Sequence, residues 1–191
     1  MNGPNNSPIE DPTGDHLSAR QDKLRRLRAK GIDTYPTKYS RSHTSTEARI
    51  LFNTVVEPTD ATVTQTQPVS IAGRIMAVRI MGKNSFLDIK DGDGHLQAHF
   101  RVDTLGESYT LLKELDIGDF VGITGPLFKT RTGEVTIAAT EFTFLSKSLR
   151  SLPEKWHGLK DKEQRYRQRY LDLIANDEIM PVFLRRSRII Q

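Results

Sequence analysis

Residues 84–100 read NSFLDIKDGDGHLQAHF. Two apolar alternations flank a turn-forming run, Leu87 and Ile89 before it, Leu96, Ala98 and Phe100 after it. Side chains on a strand alternate faces with a period of two. The pattern predicts two short strands joined across DGDG. If the hairpin closes on that turn, Lys90 faces His95, Ile89 faces Leu96, Asp88 faces Gln97, Leu87 faces Ala98 and Phe86 faces His99. Apolar residues then oppose apolar residues throughout, which is what specifies a register. The other face collects Phe86, Asp88, Lys90, His95, Gln97 and His99. Phe86 is out of phase with the core positions. Either it packs under another part of the chain, or it offers a stacking ring to a ligand. Stray exposed aromatics are ordinary, so the strand pattern alone leaves both open.

The flanking sequence extends the pattern. VSIAGRIMAVRIMG, residues 69–82, alternates at Val69, Ile71, Gly73 and Ile75. A glycine inside a strand often marks a tight bend, as at a barrel corner. VDTLGESYTLLKELD, residues 102–116, recurs at Leu105, Tyr109, Leu112 and Leu115 and predicts a helix. IGDFVGITGPLF and EVTIAATEFTFLS predict a fourth and a fifth strand, joined by the turn KTRTG at 129–133. Three strands, a helix and two strands predict an all-β core with flanking helices, α+β overall: a five-stranded OB-fold barrel with an N-terminal helix and a C-terminal helical linker. Such barrels bind oligonucleotides on the face of strands two and three. Single-stranded RNA is read by stacking bases on aromatics and hydrogen-bonding their edges. Phe86 would supply the stack and Gln97 the edge contact. Arg79 at the end of strand one, with Lys129 and Arg131 between strands four and five, would border the site with charge. Lys90, His95 and His99 complete the candidate RNA contacts.

Outside the barrel, residues 1–16 are polar and read as a disordered tail. Residues 17–65 read as a helical extension. LSARQDKLRRLRAKG forms its first helix, and a short helix lies near Thr46–Phe52. Arg25, Arg26, Arg28 and Lys30 crowd the end of the first helix, either as a solvated face or as an RNA backbone contact. The barrel is assigned to 66–147. Residues 148–191 form a basic linker with Trp156 and His157 as a packing anchor, and then helices. Asp161 with Gln164 resembles a capping pair. FLRRSRIIQ keeps helical spacing to the last residue, so a further domain is expected to follow.

The 191 residues carry a net charge of +4 and no cysteine. Disulfides and thiolate metal sites are excluded, and the five histidines show no metal-ligand spacing. DGDG lacks the remaining ligand positions of a calcium loop. No apolar run approaches the ~20 residues of a membrane span, and the N-terminus lacks the chemistry of a secretory signal. A cytoplasmic location is the default expectation.

AGRIMAVRIMGKNSFLDIKD, GDFVGITGPLFKTRTGEVTI and LSKSLRSLPEKWHGLKDKEQRYRQRYLDLI carry a resemblance. They are similar to the N-terminal part of the bacterial lysyl-tRNA synthetases, which are class II aminoacyl-tRNA synthetases. The resemblance runs from about Leu17 to Gln191. It implies that the barrel binds the anticodon loop of lysine tRNA, with Phe86 as stacking ring, Gln97 as base-reading amide, Glu134 as acidic base-reader and Arg79 near the anticodon. Glu134 rests on the resemblance alone. It also implies that residues 148–191 hold the linker and the truncated start of a class II catalytic domain whose ATP and magnesium site lies beyond this chain, that the chain has no catalytic residue or cofactor of its own, and that the full-length form is a homodimer. Pro181 departs from the polar or charged residue usual at that position.

Overall fold

The computed structural model describes residues 14–55, 66–153, 159 and 161–191. The chain divides after Arg150 into two compact units. Most of the expected disordered tail, the loop at 56–65, and Trp156 and His157 lie outside the described residues.

The first unit is built on β1 (Val69–Met81), β2 (Asn84–Lys90) and β3 (His95–Arg101). β2 and β3 pair in the register that the apolar alternation predicts, from Phe86 opposite His99 to Lys90 opposite His95. Leu87, Ile89, Leu96, Ala98 and Phe100 are buried in one core with Ile71, Ile75, Val121, Ile123, Leu127, Ile137 and Phe144. β1 follows its alternation only to Ile75. The register against β2 shifts between Ile75 and Ala77, so both Ile75 and Met76 are buried. A bulge re-aims everything beyond it. Val78 then pairs with Leu87 on the core side, and Arg79 pairs with Phe86 on the outward side. Without the bulge, Arg79 would point inward.

The expected five strands are seven. The fourth breaks at Pro126 into β4 (Phe120–Gly125) and β5 (Leu127–Lys129). The fifth breaks into β6 (Val135–Ala138) and β7 (Glu141–Ser146). Proline has no N–H to give a ladder, and each half takes a different partner. β4 pairs with β1 and β7, β5 pairs with β6, and β6 pairs in parallel with β3. The sheet order is β5-β6-β3-β2-β1-β4-β7. Its two ends are chain continuations of β4 and β6, so the sheet closes on itself. Ala138 N–H donates to the Pro126 carbonyl at 2.8 Å, and Thr140 N–H donates to that of Thr124 at 2.9 Å. A Cβ at Gly125 would collide with the Ala138 carbonyl at this closure.

The single helix expected over 102–116 is also corrected. One turn, α3 (Val102–Leu105), is followed by a tighter 3-10 helix over Gly106–Glu114, with Gly106 at φ 55. The side of that segment facing the barrel still buries Leu105, Leu112 and Leu115.

α1 (Gly14–Ala29) buries Leu24 and Leu27, and α2 (Ser45–Val55) buries Ala48 and Phe52. Thr44 and Glu47 form a reciprocal capping box at the start of α2, at 3.2 and 2.7 Å. The Asp91 carboxylate of the DGDG turn accepts from Ser45 N–H and Oγ, both at 2.7 Å, and from Asp93 and Gly94 N–H, both at 2.9 Å. The turn therefore holds both the hairpin and α2. In α1, Arg25 pairs with Asp22 and Arg26 with Glu114, so part of the basic run is spent on ion pairs.

The second unit holds α4 (Lys162–Arg167), α5 (Arg169–Ala175) and α6 (Ile179–Ile190). Asp161 caps α4 by accepting from Gln164 N–H at 2.6 Å. Pro181 lies in the first turn of α6, where the backbone N–H has no intrahelical acceptor anyway. Among the described residues, no helix is long and apolar enough to cross a membrane.

Candidate nucleic-acid interface

The outward face of β1, β2, β3 and β6 carries the candidate residues. One row across it runs Arg79, Phe86, His99, Ala138. Phe86 and His99 are already stacked, with ring centroids 4.4 Å apart and planes within 8°. The ring is half-buried, and one of its faces belongs to His99. The Arg79 guanidinium stands 5.9 Å from the Phe86 centroid. His99 is itself oriented, since its Nε2–H donates to Asn84 Oδ1 at 3.0 Å. Burial, and then the charge of Arg101, hold the His99 imidazole below its ordinary value. Both favour the neutral ring.

The adjacent row runs Asp88, Gln97, Thr136, Phe128. Strand alternation puts Gln97 on the open face, yet only 8% of it is exposed. The reason is β6, which lies in parallel beside β3 and sets Thr136 against Gln97. The amide is held at both ends. Its Nε2–H donates to Glu134 Oε2 at 3.1 Å, and its Oε1 accepts from Thr136 Oγ1 at 3.2 Å. A carboxylate accepts and never donates, so Glu134 fixes which end of the amide is nitrogen. One N–H and one carbonyl lone pair remain for a ligand. Gln97 and Glu134, chosen on different grounds, thus meet in one hydrogen-bonded group.

The other candidates lie around this centre. His95 Nδ1 is 3.5 Å from Asp88 Oδ1, and Lys90 is half-buried opposite His95. Lys129 and Arg131 are exposed at the β5–β6 turn. That turn is ordered by Thr130, whose N–H donates to the Glu134 carbonyl at 2.9 Å and whose Oγ1 accepts from Glu134 N–H at 3.0 Å. Three residues of the face escape a reading of the sequence: Asn84, Thr136 and Phe128. The Phe128 ring lies 5.9 Å from that of His99. Its signal is the alternation of β5, where Leu127 is buried and Phe128 is not. No group of three or more potential metal ligands occurs among the described residues.

Residues 69–145 match the tRNA anticodon family of OB-fold nucleic acid binding domains. Three lysine–tRNA ligases illustrate the wider similarity. That of Pelotomaculum thermopropionicum is 50% identical over 183 residues, which are 95% of this chain and 34% of the relative. That of Dehalococcoides mccartyi is 51% identical over 92% of this chain and 35% of the relative. That of a Thermoanaerobacter species is 48% identical over 92% of this chain and 34% of the relative. The chain spans about a third of the length of the curated relatives it matches. Residues 69–145 are therefore an OB-fold domain of the tRNA anticodon type, and over 92–95% of its length the chain is similar to lysine–tRNA ligases.

Proposed function

We propose that the barrel reads the anticodon loop of lysine tRNA as part of a lysine–tRNA ligase. The observation that carries this reading is the Gln97 amide, oriented by Glu134 and Thr136 beside the Phe86–His99 stack. The lysine anticodon is rich in uridine. Uracil presents a carbonyl acceptor next to its N3–H donor. The remaining Gln97 N–H and the Glu134 carboxylate present the complementary donor and acceptor. Phe86 stacks the base, and the exposed Arg79 guanidinium lies over it. In that pose cytosine would set its amino group against the Gln97 N–H and its bare N3 against a carboxylate. Each mismatch leaves a desolvated polar group unpaired, at a cost of about 1–3 kcal/mol.

Activation of lysine with ATP and magnesium, and transfer to the tRNA, belong on this reading to sequence outside these residues. The full-length form is proposed to be a cytoplasmic homodimer. The domain division proposed is an extension at 17–65, the barrel at 66–147, and at 148–191 a linker with the start of a class II catalytic domain.

The test is a fluorescence titration of the chain with the lysine tRNA anticodon stem-loop, at two salt concentrations. The control loop has its middle uridine changed to cytidine. Tight binding lost on that change is the expected result. Phe86→Ala is expected to weaken binding by roughly 1–3 kcal/mol, and Gln97→Ala to lose discrimination more than affinity. Equal binding of both loops would reduce the barrel to a general single-strand platform.

A further inference from the structure

The aromatic surface on this face is longer than one base requires. Beyond the Phe86–His99 pair, the Phe128 ring lies 5.9 Å from His99 and tilted by 50°. Phe128 reaches that position from β5, where its neighbour Leu127 is buried in the core while the Phe128 ring stays half-buried outside it. In the row of His99, the residue next to it on β6 is Ala138. The row thus sets only a methyl group next to the imidazole on β6, and the Phe128 ring reaches it from the adjacent row.

We propose that His99 and Phe128 form a second stacking position, which takes the base adjacent to the one read by Gln97 and Glu134. The proposal rests on the anticodon reading above. Successive bases of a single strand stack on successive aromatic side chains, and any base serves because every base has a π-face. The second position therefore adds affinity without choosing a base. A base inserted between two rings needs about 7 Å, twice the ~3.4 Å stacking rise. Phe128, on a strand of three residues, opens the present spacing by turning about its side-chain torsions. His99 is central to both positions, backing Phe86 on one side and meeting the second base on the other.

The test uses the whole chain and the lysine tRNA anticodon stem-loop, intact and with single abasic sites walked through the loop. Phe128→Leu keeps an apolar side chain of similar reach and removes the π-face. It is expected to weaken binding of the intact loop about fivefold or more, the low end of one base stack, while Phe128→Tyr binds like the parent. The loss is expected to vanish on one abasic loop, at a position other than the middle uridine, and His99→Leu is expected to be silenced partly by the same site. An unchanged affinity for Phe128→Leu, or an equal loss on every abasic loop, would overturn the second position and return Phe128 to packing. If the parent chain does not separate the uridine loop from the cytidine loop, the anticodon reading itself falls, and this proposal with it.

Discussion

A glutamine amide discriminates bases only when its two ends are told apart. At Gln97 that is the work of two neighbours, the acceptor-only Glu134 carboxylate and the Thr136 hydroxyl. Thr136 is fully buried and touches no ligand on this reading. Its role is to position Gln97. Thr136→Val keeps the shape and removes the hydroxyl, which leaves Gln97 Oε1 short of one hydrogen bond. A bond of this kind is worth about 0.5–1.5 kcal/mol net. The expected outcome is a fall of that size in the preference for the uridine loop over the cytidine loop, restored by Thr136→Ser. Stem-loop titrations of both loops measure it. A loss equal on the two loops would show that Thr136 serves only the strand. Phe86 and Gln97 were legible as candidates from alternation, because that rule is local. Thr136 and the burial of Gln97 were not, since β6 meets β3 only through a pairing across 39 residues.

The hairpin register was legible for the same reason. Apolar residues oppose each other at every core position, and a slip of one residue would turn them all outward. The strand count was not legible. The breaks at Pro126 and after Ala138 are decided by which strand each half meets when the sheet closes, and no local pattern carries that. The DGDG turn shows how one element can fix another. Asp91 accepts four hydrogen bonds, two from its own turn and two from Ser45 at the start of α2. Burial alone would raise its carboxyl, but these four bonds outweigh it, and the net shift is downward. The sign follows. A carboxyl whose folded value lies below its unfolded one contributes stability above the unfolded value, near 3.9. That contribution is lost as the pH falls through the folded value. Asp91→Asn is expected to lower stability at pH 7 by about 1.5–3 kcal/mol, the range for hydrogen bonds to a charged group. The gap to the parent should narrow below about pH 4. Urea unfolding at pH 7 and in acid measures both. A gap that stays constant with pH would mean that the charge of Asp91 contributes nothing.

Across the first unit, distant segments are tied through one buried cation. Lys147, just past the end of β7, has a fully buried side chain. Its ammonium donates to Asp119 Oδ2 at 2.7 Å, to the Glu114 carbonyl at 2.7 Å and to Asp116. Asp116 in turn accepts from Lys23 of α1 at 2.7 Å. Arg20 of α1 donates to the Ser148 carbonyl at 2.8 Å, and Tyr35 donates to that of Lys147 at 3.0 Å. The N-terminal helix, the segment before β4 and the chain leaving the barrel thus share one polar cluster. Composition and periodicity give no sign of it, because a lysine after a strand ordinarily lies in solvent. The candidate face sits on β1, β2, β3 and β6, and no side chain of this cluster comes from those strands. A substitution here should therefore move stability without moving recognition. Removing one partner of a buried pair leaves an uncompensated charge, whereas replacing both by apolar groups is often neutral. Lys147→Met is expected to cost about 3–5 kcal/mol. The double variant Lys147→Met with Asp119→Leu is expected to recover much of that loss. Urea unfolding of the parent, both single variants and the double variant completes the cycle. The preference for the uridine loop, measured where each variant is folded, is expected to stay at the parent value. Additive losses in the cycle would show that Lys147 and Asp119 are not coupled. A changed loop preference would mean that the cluster also holds the recognition face in place.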